Sequence, residues 1–366
     1  MRKAGTLPIQ EMEAMIESGQ LQGFTGQLQP ASADMSIAED AYRVRGAALP
    51  RPGQSIKELR QEITMFRHNL DQPLEPGATY LIKAGQSVKF PKAVYGYVNA
   101  KSSTGRNDIH ARLVADGVPS YDTMPHGFCG DLWFMISSGH FLVQLEPGDQ
   151  LSQLRLFDRN TRLDETEMQI AYQKYGFLRR SGNPIPYEEI PATEGDGMLG
   201  LTADFSNLDV VAWRAKTLEQ QAKVLVFNKR QHSPHSFFDP IEKPKNGRLV
   251  LENGRFYTFA TREAVCVPPE FACEMVAVDH RRGEFRSHYA GFIDPGWGYE
   301  NGKPKGAILV LEVRPFGRNE IITEGAPVCR ISYERMREVP RALYGETGSH
   351  YVNQRGPRLS KHFRAA

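Results

Sequence analysis

Two places in this 366-residue chain combine residue types that could do chemistry. From Lys101 to Arg106 it reads KSSTGR, in which two cations flank Ser102, Ser103 and Thr104, and Gly105 lets the backbone turn. Hydroxyls, cations and free backbone amides near Gly105 suit phosphate oxygens, although the same composition also makes an ordinary turn. Far along the chain, Glu312 interrupts the apolar run AILVLEV. Strand alternation would put Ile308, Val310 and Glu312 on one face and Ala307, Leu309, Leu311 and Val313 on the other. A carboxylate among such neighbours should have its pKa raised by desolvation, so that it takes a proton from water and returns it near neutral pH. The alternative is an exposed glutamate on an edge strand.

Other features invite less. His232 and His235 in QHSPHSFF suggest a metal, but a polar loop explains them. Trp133, Trp213 and Phe205 read as core, and Ile241 to Val250 as a solvated hairpin. Cys129, Cys266, Cys273 and Cys329 lie far apart without a C-x-x-C pair, which reads as buried thiols in a reducing compartment. The net charge of +2 gives no field for gripping nucleic acid, so an anionic ligand must be held by a local cluster. No run approaches a membrane span and the charged start is not a signal peptide, which points to a cytoplasmic protein.

The elements that must position these residues are mostly strands. Ile9, Met12, Met15 and Ile16 fall at helical spacing and stop at Gly19, which predicts one opening helix. Short β-rich runs follow, including ADMSI, TYLIKAG, VYGYVNA, DLWFMIS and LSQLRLF, spaced as in an all-β sandwich or barrel. The stretch from about Asn160 to Asp196 lacks a sustained period and reads as a connector, with two domains, 1–190 and 191–366, meeting near Pro191.

The second domain replays the first at a spacing of about 170 to 178 residues, which a tandem duplication explains. ADMSI is answered by TADFS, LEPGATYLI by LENGRFYTF, and EPGDQLSQLRLF by EGAPVCRISYERM.

Three segments together resemble the dCTP deaminases, which share a trimeric β-fold with the dUTPases. KSSTGR is similar to that family's R-S-S-x-x-R loop. HYAGFIDPGW, His288 to Trp297, with Glu312 in the strand beyond, resembles its A-G-x-I-D-P-G-[F/W] turn and L-E strand. The tail from His350 resembles its closing lid, K-Y-x-x-Q-x-G-P-x-x-S, with Tyr351, Gln354, Gly356, Pro357 and Ser360 matching and His350 in place of the lysine. The resemblance implies two tandem dUTPase-like, jelly-roll-like β-barrel domains with few short helices. It also implies hydrolysis of dCTP to dUTP and ammonia, in pyrimidine deoxynucleotide supply, by a homo-oligomer that binds neither nucleic acid nor membrane.

By that resemblance Glu312 is the general acid and base, with Ser102 and the Ala290 backbone holding the attacking water. Lys101, Ser103, Thr104, Gly105 and Arg106 would hold the triphosphate, with Mg²⁺ carried on it. Ile293, Asp294, Pro295, Gly296 and Trp297 would line base and sugar, and His350, Tyr351 and Gln354 would belong to the lid. Zinc is not expected, because the H-x-E or C-x-E and P-C-x-x-C segments of zinc deaminases are absent.

The repeats have decayed in complementary ways. The first keeps KSSTGR but has Met135 at the glutamate position; the second keeps the turn and Glu312 but reads HRRGEFR, His280 to Arg286, where the serine loop should be. One composite site, within or between chains, tolerates that pattern. A dUTPase, a bifunctional enzyme releasing dUMP and a non-catalytic nucleotide sensor are the rival readings.

Overall fold

A computed structural model describes residues 4–191, 193–221, 223–227, 229–276, 280–288, 291–346, 351 and 354–364. The fold is mainly β, two dUTPase-like β-domains with few short helices. Its compact units are not contiguous in sequence. The amino-terminal unit comprises Ala4–Arg159 together with Lys216–Phe237 and residues 360–364; the carboxy-terminal unit comprises Asn160–Ala215 and Phe238–Leu359.

In the amino-terminal unit the strands run in the order Ile109–Ala115, Leu132–Ser138, Thr79–Ala84, Ala33–Val44, Gln150–Phe157, Tyr95–Ala100 and Thr123–Met124. Strand Ala33–Val44 is long enough to pair with Thr79–Ala84 at one end and Gln150–Phe157 at the other. The carboxy-terminal unit keeps this order but divides that strand. Val210–Ala215 pairs with Tyr257–Val265, which pairs with Ala307–Pro315, which pairs with Phe285–His288. Leu199–Thr202 pairs with Pro327–Arg335, then come Phe271–Val276 and Phe292–Ile293. Asp204 makes the break: its carboxylate accepts from the amides of Ser206 and Asn207, a local turn that competes with the ladder.

The duplication extends to single hydrogen bonds. Tyr80 Oη accepts from the amide of Glu75 at 3.1 Å, and Tyr257 Oη from that of Glu252 at 2.9 Å.

The opening helix spans Ile9–Glu17 with Ile9, Met12 and Met15 buried, and Gly19 has φ +72°. Three other readings need correction. The supposed connector holds the helix Glu165–Tyr175, opened by a reciprocal Asp164–Glu167 capping box and burying Met168 and Tyr172 one turn apart. The supposed hairpin at 241–250 is two unrelated strands: Phe238–Glu242 pairs with Val210–Ala215 and Arg248–Leu251 with Glu320–Thr323. Cys129 is exposed, while Cys266, Cys273 and Cys329 are buried. Trp133, Trp213 and Phe205 are core, as expected.

The segment Lys216–Phe237 joins the amino-terminal unit through a parallel pairing of Leu225–Val226 with Val143–Gln144 and an edge-to-face contact of Phe237 with Phe141. His232 is not in a polar loop; it is buried, and its Nε2 meets the backbone N and O of Val226 at 3.1 and 3.0 Å. No described helix is long and apolar enough to cross a membrane.

Candidate active site

In the amino-terminal unit, strand Tyr95–Ala100 ends in the single helical turn Ser102–Gly105. The Lys101 amide donates to Leu151 O at 2.9 Å, fixing where the loop leaves the sheet, and Thr104 Oγ1 donates to the same carbonyl at 2.8 Å. The amides from Thr104 to Arg106 are not free. The amides of Thr104 and Gly105 both donate to Lys101 O, at 2.8 and 3.0 Å, and that of Arg106 to Ser102 O at 3.0 Å, because the segment closes a helical turn rather than an open loop. Thr104 is fully buried and its hydroxyl is engaged in holding the turn, whereas Ser102 remains half-buried. Ser103, Gly105 and Arg106 are buried.

Lys101 makes an ion pair with Asp34, whose other oxygen accepts from Gln153 Nε2 at 3.3 Å. Asp34 was missed as a site residue. Its signal was present in the repeat, since ADMSI and TADFS both carry the aspartate.

In the carboxy-terminal unit Glu312 is 2% exposed. It lies on an interior strand, opposite Thr258 on one side and His288 on the other, so it is no edge-strand glutamate. Both faces of Ala307–Pro315 are largely buried. Met135 has the matching place in the other unit. It is buried opposite Leu81, the counterpart of Thr258, in an apolar cluster with Trp133 and Val114.

The turn after Ile293 is pinned to the glutamate strand. Trp297 Nε1 donates to Ala307 O at 3.2 Å, and the amides of Gly296 and Trp297 donate to Val267 O at 2.8 Å and Asp294 O at 3.1 Å. Gly296 is required twice over: φ is +93°, and a Cβ there would lie 2.8 Å from Leu343 Cβ. Leu343–Tyr344 closes over the turn, with the Tyr344 amide donating to Pro295 O at 2.8 Å and its ring 4.9 Å from that of Trp297. Asp294 is 5% exposed, and Ile293 pairs with Cys273.

The tail reaches the same strand. Gln354 Nε2 donates to Ile308 O at 2.7 Å, and Tyr351 is buried in the core shared by Ile293, Trp297 and Leu311. Trp297 and Gln354 are thus hydrogen-bonded to the start of the strand that carries Glu312. Ala290 and His350 lie outside the described residues. Where the serine loop would recur, Arg281 and Arg282 each meet Glu194 at 3.4 Å.

The 2'-deoxycytidine 5'-triphosphate deaminase (DCD) N-terminal domain matches residues 3–160 and the C-terminal domain of the same family matches residues 184–363. A protein of Dictyoglomus thermophilum named "dCTP deaminase, dUMP-forming" is 26% identical over 152 residues, 41% of this chain and 75% of that one. Its namesake from Dictyoglomus turgidum gives the same values. The crystal structure of 2'-deoxycytidine 5'-triphosphate deaminase from Agrobacterium tumefaciens is similar with a TM-score of 0.84 and 32% identity, covering 94% of this chain and 99% of that one. A strand order repeated in both units, one serine loop, one buried glutamate strand and matches along nearly the whole length lead to one assignment: the chain belongs to the dCTP deaminase family, in its two-domain form.

Proposed function

We propose that the protein hydrolyses dCTP to dUTP and ammonia with Glu312 as general acid and base. The observation that supports this most is the burial of Glu312 on an interior strand to which Trp297 and Gln354 are hydrogen-bonded. In this reading Glu312 takes a proton from a water held by Ser102 and the Ala290 backbone. The hydroxide adds to C4 as Glu312 passes its proton to the ring nitrogen N3; Glu312 then carries the proton of the new C4 hydroxyl to the amino group, which leaves as ammonia as the C4 carbonyl forms. A positioned acid–base group contributes roughly 10²–10⁴ in rate; the rest comes from orientation and from stabilising the tetrahedral intermediate.

Asp294 would accept from the sugar hydroxyl, while Lys101 and Arg106 hold the triphosphate. The serine loop offers hydroxyls and cations, which suit phosphate oxygens rather than a metal, so magnesium would arrive on the triphosphate with no side chain assigned to it. The proposal has one reaction use the serine loop of the first repeat and the glutamate of the second, in a cytoplasmic homo-oligomer. The test is ammonia release from dCTP by the wild type and by Glu312→Gln; an active Glu312→Gln protein would refute the assignment.

The Dictyoglomus names favour a second reading, in which dUMP is the final product. Following ammonia and pyrophosphate separately from dCTP and from dUTP decides between the two.

A further inference from the structure

The chain continues past the lid pattern, and this continuation belongs to the amino-terminal unit. Ser360 Oγ donates to Ser103 O at 3.0 Å. Asn107, directly after the serine loop, has its Nδ2 2.6 Å from His362 Nδ1. The His362 ring is fully buried, 4.3 Å from that of Phe227, and Phe363 bridges to His232. Lys361 lies between these two anchors, so its backbone is held at the serine loop whatever its side chain does.

The electrostatics point the same way. Burial is the main cause lowering the Lys361 pKa to about 8; Lys101 and Arg230 add to it, and Asp34 and Asp149 oppose it. Two ammonium groups thus repel each other at the loop, an arrangement that an incoming polyanion would relieve. Lys101 already has a partner in Asp34, so the cation that opens the loop is partly neutralised.

We propose that Lys361 is a polyphosphate-binding residue of the serine loop, supplying a second ammonium beside Lys101. This rests on the reading of the loop as the triphosphate site. Because a phosphate favours the protonated amine, affinity should fall as pH rises through about 8, the value set by burial, Lys101, Arg230, Asp34 and Asp149.

The experiment is calorimetric titration of the full-length wild type, Lys361→Gln and Lys361→Arg with inorganic tripolyphosphate, with dCTP and with deoxycytidine, at pH 7 and pH 9. Loss of a charge-assisted contact should weaken tripolyphosphate and dCTP roughly tenfold to hundredfold in Lys361→Gln at pH 7. Deoxycytidine binding should be unchanged. Lys361→Arg should restore affinity and flatten the loss between pH 7 and pH 9. Unchanged tripolyphosphate affinity in Lys361→Gln, or an equal loss for deoxycytidine, would overturn the proposal. Should Lys361→Gln not fold, a wild-type affinity with the same pH dependence as Lys361→Arg would overturn it as well. A wild type that binds tripolyphosphate but releases no ammonia from dCTP would sink the proposed function and leave the phosphate site standing.

Discussion

The two units carry one strand order and one Tyr-to-backbone bond in duplicate, yet hold unlike side chains at matching places. Where one unit pairs Met135 with Leu81, the other pairs Glu312 with Thr258. Lys101 meets Asp34 in the first, while Asp204, which answers Asp34, caps a turn in the second. The ladder hydrogen bonds that define the fold are made by backbone and survive such exchanges, whereas a site depends on a few side chains. Each unit therefore keeps the shared architecture with its own set of side chains at these places.

The largest contrast should come from the two matched positions. Glu312→Gln is isosteric and should lower ammonia release by roughly 10²–10⁴ with little change in melting temperature. Met135→Leu should leave turnover intact and cost less than about 1.5 kcal/mol, as volume-conserving core swaps do. Equal losses of activity would erase the distinction between the units.

Met135→Glu sharpens the same comparison. The new carboxylate would sit among Leu81, Trp133 and Val114 without the neighbours that Glu312 has, and a stranded buried charge costs on the order of 3–5 kcal/mol. Denaturant unfolding should show a midpoint well below that of the wild type. A variant as stable as the wild type would mean that the first unit had kept room for the proton shuttle.

Much of this was legible in the sequence. The repeat, the β-rich pattern and the glutamate strand follow from period-two alternation and turn residues. What escaped was local or non-contiguous. The helix Glu165–Tyr175 has only Met168 and Tyr172 as its buried face, too sparse for a periodicity, although D-x-x-E at Asp164 and Glu167 announced its start. Lys216–Phe237 docks on the amino-terminal unit through a two-residue strand and a few aromatics, a choice of partner that hydrophobicity alone does not encode. The turn at Ser102–Gly105 looked like an open anion cradle because a sequence does not show that Lys101 O accepts two of its amides.

Two buried threonines distinguish scaffold from chemistry. Thr104 Oγ1 donates to Leu151 O, whereas Thr258 Oγ1, across the ladder from Glu312, is buried with no hydrogen-bond partner among the described residues. Thr104→Val should cost about 0.5–1.5 kcal/mol by removing one of the two hydrogen bonds to that carbonyl, which keeps the Lys101 amide. Thr258→Val should leave stability within about 0.5 kcal/mol and, if the hydroxyl serves the reaction, lower kcat. Thermal unfolding with steady-state kinetics on both variants checks this; a Thr258→Val protein with unchanged kcat would return that residue to the scaffold.

The smallest effect expected is a pH dependence confined to the amino-terminal unit, where burial lifts Asp122 to about 6 against the opposing pull of Arg112 and the Leu113 amide. Its carboxyl holds a proton more tightly folded than unfolded. Its contribution is thus fully present below the ordinary carboxylate pKa, near 4, and is lost as pH rises through about 6. Between pH 5 and pH 7 that amounts to on the order of 1 kcal/mol. Asp122 also has φ +60°, a conformation that asparagine tolerates, so Asp122→Asn removes the titration without forcing the turn. The wild type should lose more melting temperature between pH 5 and pH 7 than Asp122→Asn does. Parallel curves for the two proteins would mean that the buried carboxyl keeps its charge throughout, held by Arg112.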